Sequence, residues 1–286
     1  MKKLNLLFII TALLSVGCND NFDEWDDTSQ RYITFTFDSV HLATSVLSYT
    51  NGEFQLQNKF NLDTDYLYRV VCYCYDSEGN LIDTQTKLSP QIEDTKISIK
   101  HLYKDEKYKF LFTADVVKYD QFVNYYETWF QLKTKSIDDF YIFSLNRSET
   151  PQLNVLYSAT VETSPTNQIY PVELKQISHN GYCVFTNFGK VNKLSGWTNY
   201  YESYYIKDFK GINRSYNSYE YFINEEKSIV LPLTLSLPDD TLKIQIRRYI
   251  NLKDDTITYN VYNFEHRPFL LKIDCSALKL VEYIHY

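Results

Sequence analysis

Short segments in which apolar and polar residues alternate follow one another along most of the chain, and this pattern constrains the fold more than any other feature. In the segment RYITFTF, Ile33, Phe35 and Phe37 alternate with Tyr and Thr, which predicts a strand with one apolar face. The chain holds 27 Tyr and 18 Phe but only 7 Gly and 7 Pro. Aromatic side chains suit a pleated, half-buried surface, so the sequence predicts an all-β protein.

The clearest local signal is a hairpin in the segment LYRVVCYCYDSEGNLIDTQ. Residues 76–80 have the composition of a turn, and Gly79 can adopt the positive φ that such turns require. Cys72 and Cys74 are two positions apart in the first strand, so we expect both side chains on one face. A second strand pair is predicted on either side of residues 103–107.

The strands group into two tandem β-sandwich domains. Six or so strands within residues 32–136 match the size of an immunoglobulin-like sandwich, and residues 137–286 repeat the pattern. The polar segment 133–140 contains the predicted boundary. In the second half, residues 179–181 (His-Asn-Gly) predict a tight turn. Residues 188–217, rich in Gly, Asn, Ser and Tyr, predict a long loop.

The N-terminus has the organisation of a cleaved lipoprotein signal peptide. Two lysines precede an apolar run over residues 4–14, which is shorter than the roughly 20 residues needed to span a bilayer and fits a signal peptide over residues 1–17. Residues 14–18, LSVGC, resemble the lipobox of bacterial lipoproteins. That resemblance implies that Cys18 carries the lipid and becomes the first residue of the mature chain.

Residues 18–31 form an acidic tether behind the anchor. Positions 19–30 contain five acidic residues and neither Lys nor Arg, and the tether resembles the signal that exports lipoproteins of the Bacteroides group to the outer face of the outer membrane. Loss of Lys2 and Lys3 with the signal peptide takes the formal net charge from −7 to −9. Such a charge argues against a nucleic-acid partner, which requires a basic face.

The remaining cysteines give no strong site. A Cys-x-Cys pair without nearby His is a weak metal signal, so we expect neither a metal nor a cofactor. Buried free thiols are favoured, and a disulfide between domains remains open without a selected pairing. The four residues are Cys72, Cys74, Cys183 and Cys275.

Catalytic motifs are missing from the sequence. The five His residues are scattered, and there is no His-Glu-x-x-His pair, Gly-x-Ser-x-Gly elbow, P-loop or dinucleotide-binding turn. We therefore expect a protein that is not an enzyme. A hydrolase with carboxylates converging from distant strands remains the alternative.

Two segments are candidates for contact with a ligand or partner. The final segment, LLKIDCSALKLVEYIHY, predicts an edge strand in its own sheet or in a neighbour's. In residues 196–209, exposed aromatic rings could stack on a glycan, whereas the alternative role of the Trp is to cover the end of the sandwich. The candidate contact residues are Trp197, Tyr200, Tyr201, Tyr204 and Tyr205.

The hairpin LYRVVCYCYDSEGNLIDTQ followed by LYKDEKYKFLFTADV resembles the first domain of fimbrillin-type pilus proteins of the Bacteroides group. The segment 143–178 resembles the start of their second domain. Residues 105–107 (Asp-Glu-Lys) stand where that family has a glycine, and residues 172–176 (VELKQ) depart from its V-x-L-x-R. The resemblance implies two transthyretin-like sandwiches on a lipoprotein precursor.

In that family, shaft subunits lose the lipid and a first strand by cleavage after an Arg. Arg31 is the matching residue here, yet residues 18–31 have no strand pattern. The resemblance therefore implies a lipid-retaining anchor or accessory subunit of a fimbria-like adhesive structure, with other fimbrial subunits as partners. The alternative function is a glycan-binding surface lipoprotein.

Overall fold

The computed structural model is built from strands. Within the residues that it describes, a single 3₁₀ turn (Ile92–Asp94) is the one helical element, and none of them forms a helix long and apolar enough to cross a membrane. The all-β class predicted from the sequence is confirmed. The signal peptide, Cys18 and the tether up to residue 29 lie outside the described residues. These are 30–37, 46–57, 65–120, 125–128, 130–133, 136–137, 141–144, 155–205, 211–224, 227–236, 241–251, 253–262 and 267–286.

The strands are numbered in chain order. The first half contains β1 (Gln30–Phe37), β2 (Val46–Thr50), β3 (Glu53–Gln57), β4 (Tyr66–Tyr75), β5 (Leu81–Ser89), β6 (Lys96–Tyr103), β7 (Tyr108–Asp120), β8 (Tyr125–Thr128), β9 (Phe130–Lys133) and β10 (Tyr141–Ser144). The second half contains β11 (Leu156–Thr163), β12 (Ile169–Val172), β13 (Lys175–Gln176), β14 (His179–Thr186), β15 (Lys193–Tyr205), β16 (Gly211–Phe222), β17 (Ile229–Ser236), β18 (Thr241–Ile250), β19 (Lys253–Tyr262), β20 (Phe269–Asp274) and β21 (Lys279–His285).

The first sandwich packs a sheet of order β12-β1-β6 against a sheet of order β13-β11-β7-β4-β5, with β8 beside β7. The predicted alternation in β1 is confirmed, because Ile33, Phe35 and Phe37 are all buried in the shared core. From the opposite sheet, Phe110 and Phe112 meet Phe35 with ring centroids 4.7 and 4.8 Å apart. Tilted and edge-to-face aromatic contacts of this kind stabilise a core beyond the area that they bury.

The predicted hairpin of β4 and β5 is also confirmed. Gly79 has a φ of +85°, and the Asp76 carboxylate accepts hydrogen bonds from the backbone N–H groups of Glu78 and Asn80 at 2.9 and 2.8 Å. These bonds lower the pKa of Asp76, because they favour its charged form.

The second sandwich packs a sheet of order β17-β14-β20-β21 against a sheet of order β19-β18-β15-β10-β9, in which β16 also pairs with β15. Its core contains apolar residues from both sheets, including Phe185, Phe269, Ile244 and Ile246. The final strand, β21, pairs antiparallel with β20. Of the two alternatives for the end of the chain, pairing within its own sheet is therefore correct.

The sheets divide the chain differently from the predicted ranges 32–136 and 137–286. β11 pairs with β7 over eight residues, and β12 pairs in parallel with β1, so residues 156–176 complete the first sandwich. The β9–β10 hairpin, by contrast, pairs with β15 in the second. These partners are far apart in sequence, so local alternation could not reveal them. We propose that the second domain consists mainly of residues after 178, together with the β9–β10 hairpin from earlier in the chain.

Residues 179–181 do not form the predicted turn. They open strand β14, where Gly181 lies beside Phe269 of β20. A Cβ on Gly181 would meet the Phe269 ring at 2.4 Å, so the glycine provides a close approach between strands rather than a bend.

The cysteine interpretation favoured from the sequence is confirmed, since all four described cysteines are buried free thiols. Cys72 and Cys74 face the same core, as their spacing predicted. Burial raises the pKa of Cys74 and of Cys275 to about 12, and it raises the pKa of the other two thiols as well. Such thiols are poor nucleophiles at neutral pH.

The β2–β3 hairpin lies against the second sandwich, although it precedes most of the first in sequence. Leu47 packs with Tyr182, Val184 and Leu270. The Asn180 side chain accepts a hydrogen bond from the Leu47 N–H at 3.1 Å and donates one to the Leu47 carbonyl at 2.6 Å. The Asn180 side-chain amide thus hydrogen-bonds both the backbone N–H and the backbone C=O of the buried Leu47.

We expect Asn180→Ala to lower the free energy of unfolding by about 1–3 kcal/mol, because it leaves the buried polar groups of Leu47 without a partner. Hydrogen exchange should show faster exchange of the Leu47 amide, and urea unfolding gives the loss of stability. Asn260→Ala, at an exposed position of β19, is the control and should change neither. Unaltered protection of Leu47 in Asn180→Ala contradicts the expectation.

Candidate functional site

The segment predicted as a loop, residues 188–217, instead provides β15 and much of β16, which form one long antiparallel hairpin. The prediction was wrong because the core-facing side of β15 carries few large apolar residues. Tyr219 of β16 lies opposite Gly196 and fills the space over it, and its hydroxyl donates a hydrogen bond to the Gln245 carbonyl at 2.8 Å. A Cβ on Gly196 would lie 1.9 Å from that carbonyl oxygen.

The other side of this sheet points away from the core. Along β15, β16 and β18, residues that alternate with the core positions form a surface that we call the aromatic outer face. Cross-strand pairing aligns them in rows, in which Trp197 lies between Ser218 and Gln245. The aromatic outer face comprises Tyr216, Ser218, Glu220, Phe222, Lys193, Ser195, Trp197, Gln245, Arg247 and Tyr249.

A depression of about 390 Å³ lies in the middle of this face and is open to solvent. Each small residue of its lining pairs with a larger one across β15 and β16, Ser195 with Glu220, Gly196 with Tyr219 and Ser218 with Trp197. Its lining residues are Ser195, Gly196, Trp197, Ser218, Tyr219, Glu220, Gln245 and Arg247.

Aromatic rings are exposed on both sides of the depression. Trp197 and Tyr216 meet edge to face, with ring centroids 4.9 Å apart and planes at 83°. The Tyr216 side chain is 58% exposed, and Phe222 at the opposite side is 67% exposed. Rings held in this way offer apolar surface without the loss of side-chain freedom that a mobile ring would suffer on binding.

The charges of the face are paired. The Lys193 ammonium lies 2.7 Å from a Glu220 carboxylate oxygen and above the rings of Phe222 and Tyr249. The Arg247 guanidinium lies 2.5 Å from the Asp254 carboxylate of β19. Its hydrogen bond and the carboxylate charge raise the pKa of Arg247. The face therefore presents donors and acceptors with little net charge.

The structure places the predicted contact residues along a single strand. Trp197 is partly exposed on the aromatic outer face, next to Tyr216. The side chains of the other four predicted residues lie outside the described part of the structure, and their backbones continue β15 beyond the face. These are Tyr200, Tyr201, Tyr204 and Tyr205.

Several residues of the face were not predicted as contacts. The signal was present in residues 242–247, where Leu242, Ile244 and Ile246 alternate with Lys, Gln and Arg. This pattern places Gln245 and Arg247 on the outside. Tyr216 was missed because its segment had been interpreted as a loop.

Across the described ranges, no group of three or more His, Cys, Asp or Glu side chains could hold a metal ion.

Comparison with known proteins gives matches at the level of structure. No protein-family model matches the sequence, and no curated protein matches it. A candidate polysaccharide-binding protein of Bacteroides thetaiotaomicron is similar over 90% of this chain and 95% of its own, with 9% identity and a TM-score of 0.56.

Two candidate adhesins are similar as well. That of B. thetaiotaomicron matches 88% of this chain and 94% of its own at 13% identity and a TM-score of 0.52. The candidate adhesin of Bacteroides ovatus matches 90% of this chain and 92% of its own, with 11% identity and a TM-score of 0.50. The β-sandwich architecture expected from the fimbrillin resemblance is confirmed, and the fold of this chain is the fold of these Bacteroides proteins.

Proposed function

We propose that this chain is a surface-exposed lipoprotein without catalytic activity that acts as an anchor or accessory subunit of a fimbria-like adhesive structure. The observation that carries the proposal is the shared fold, which extends over nearly the whole length of candidate adhesins and of a candidate polysaccharide-binding protein. The lipobox at residues 14–18 and the acidic tether support a location at the outer membrane. The aromatic outer face is the described surface best suited to adhesion.

The position of β1 supports an anchor or accessory role over a shaft role. Arg31 is already part of β1, opposite Leu102 of β6. Cleavage after Arg31 would leave residues 32–37 in place between β6 and β12, so it would remove no whole strand among those that the structure describes. A shaft subunit of the resembled family has to release a strand by that cleavage.

The lipid anchor gives the first test of the proposal. We expect intact-mass spectrometry of membrane-extracted protein to show a chain that begins at acylated Cys18. Cys18→Ala should release the protein from the membrane fraction or leave an unprocessed precursor, because several acyl chains are needed for stable anchoring. Asn19→Ala, at the neighbouring position, should remain anchored. An unacylated N-terminus, or one at Tyr32, contradicts the proposal.

The fimbrial part of the proposal is tested by affinity isolation of the protein from its own cell surface after mild crosslinking. Other β-sandwich subunits should co-purify with the native chain. Recovery of the anchored protein alone, while a known surface complex is retained in the same preparation, contradicts a role in assembly.

A further inference from the structure

The aromatic outer face combines ring surfaces with hydrogen-bonding groups around a depression. Trp197 and Tyr216 offer apolar area on one side, and Ser195, Ser218 and Gln245 place hydroxyl and amide groups beside it. A sugar ring has the complementary chemistry, because its C–H faces pack on aromatic rings while its hydroxyl groups form hydrogen bonds. Binding sites typically combine apolar area with a few placed polar groups in this way.

The ion pairs at the depression indicate whether a bound sugar is neutral or acidic. Glu220 binds Lys193 at 2.7 Å, and Asp254 binds Arg247 at 2.5 Å, so each cation at the depression already has a carboxylate partner. An acidic saccharide would have to compete with these carboxylates. A neutral saccharide can accept hydrogen bonds from the guanidinium and donate to the carboxylates without displacing either pair.

The shape of the depression favours a segment of a chain. Its volume of about 390 Å³ lies near the lower end of the roughly 300–1,000 Å³ range of small-molecule sites. Because the depression is open to solvent, a longer ligand could extend beyond it. We infer that the aromatic outer face binds a neutral polysaccharide, with a short stretch of the chain in the depression and against Trp197. This inference rests on the proposed adhesive function and names the ligand class of its contact surface.

The test uses the full mature chain and soluble polysaccharides. Uncharged glucans, mannans and galactans are compared with polygalacturonate and heparin by calorimetric titration. At least one neutral polymer should bind, and Trp197→Ala should weaken its binding by about tenfold or more, the effect expected for truncation of a central aromatic contact. Tyr103→Ala, at a 49% exposed aromatic residue of the first sandwich, is the matched control and should bind like the unchanged chain.

Tyr216→Ala provides a second variant in case Trp197→Ala does not fold, since its exposed side chain can be removed at little cost to stability. Thermal unfolding of each variant checks this point. Failure of every neutral polymer to bind, tighter binding of the acidic polymers, or equal binding by the Trp197→Ala, Tyr216→Ala and control variants overturns the inference.

Co-isolation of surface subunits with the same variants separates this inference from the proposed function. Loss of subunits from Trp197→Ala, with no neutral polymer bound by the unchanged chain, would make the face a protein interface, overturning the inference but not the proposed function. Binding of a neutral polymer without any co-isolated subunit would support the inference and contradict the fimbrial role.

Discussion

Asp115→Ala should lower the free energy of unfolding by about 3–5 kcal/mol, because it removes the carboxylate that binds the buried Arg69 guanidinium through two hydrogen bonds. The two residues lie opposite each other on β4 and β7 and are 8% and 2% exposed. Arg69 donates from Nε to Oδ1 at 2.8 Å and from Nη2 to Oδ2 at 2.6 Å. Burial raises the pKa of Asp115, and the guanidinium charge opposes that rise.

The control for this prediction is an ion pair of the same type on the surface. Asp254→Ala removes the carboxylate that binds the exposed Arg247, so its loss of stability should be small beside that of Asp115→Ala. Urea unfolding followed by circular dichroism measures both variants. The double variant Arg69→Met, Asp115→Leu should be more stable than Asp115→Ala, because no charge remains buried. Equal losses for Asp115→Ala and Asp254→Ala contradict this account of the buried pair.

The features that the sequence predicted correctly depend on residues that lie close together in the chain. Alternation in β1 directly reflects which side of the strand meets the core, the two-residue spacing of Cys72 and Cys74 places both on one face, and the turn at Gly79 depends on a few neighbouring residues. These parts of the fold were predicted correctly because each strand supplies its own apolar face. The fold class follows from the repetition of such strands.

The features that the sequence did not reveal depend on distant residues. The residues around Gly181 predicted a turn, and those around Gly196 predicted a loop. In the structure, Gly181 makes room for the Phe269 ring of another strand, and Gly196 makes room for the Tyr219 ring. The Asn180 side chain likewise forms hydrogen bonds with the backbone of Leu47, which is 133 residues away in sequence. The candidate site was only partly predicted for the same reason. Trp197 was recognised as a candidate contact from its residue type, whereas its neighbours on β16 and β18 lie beside it only because the strands pair.

Phe35→Ala should also lower the free energy of unfolding by about 3–5 kcal/mol, as truncation of a buried Phe usually does. Phe35 is fully buried and contacts Phe110 and Phe112 of the opposite sheet. The cavity would open at the centre of the first sandwich, where both sheets meet, so little collapse could fill it. Tyr32→Ala, on the same strand but 45% exposed, should change stability by no more than about 0.5 kcal/mol.

The same contacts predict how the chain responds to truncation. A chain that begins at Tyr32 keeps Ile33, Phe35 and Phe37 in the core and should unfold close to the unfolding midpoint of the mature protein. A chain that begins at residue 38 loses the strand between β6 and β12 and should fail to give a cooperative unfolding transition. If the shorter chain folded normally, β1 would be dispensable, and the protein could release its first strand as a shaft subunit does. Because β1 supplies apolar residues to the centre of the core, we expect the folded chain to keep it.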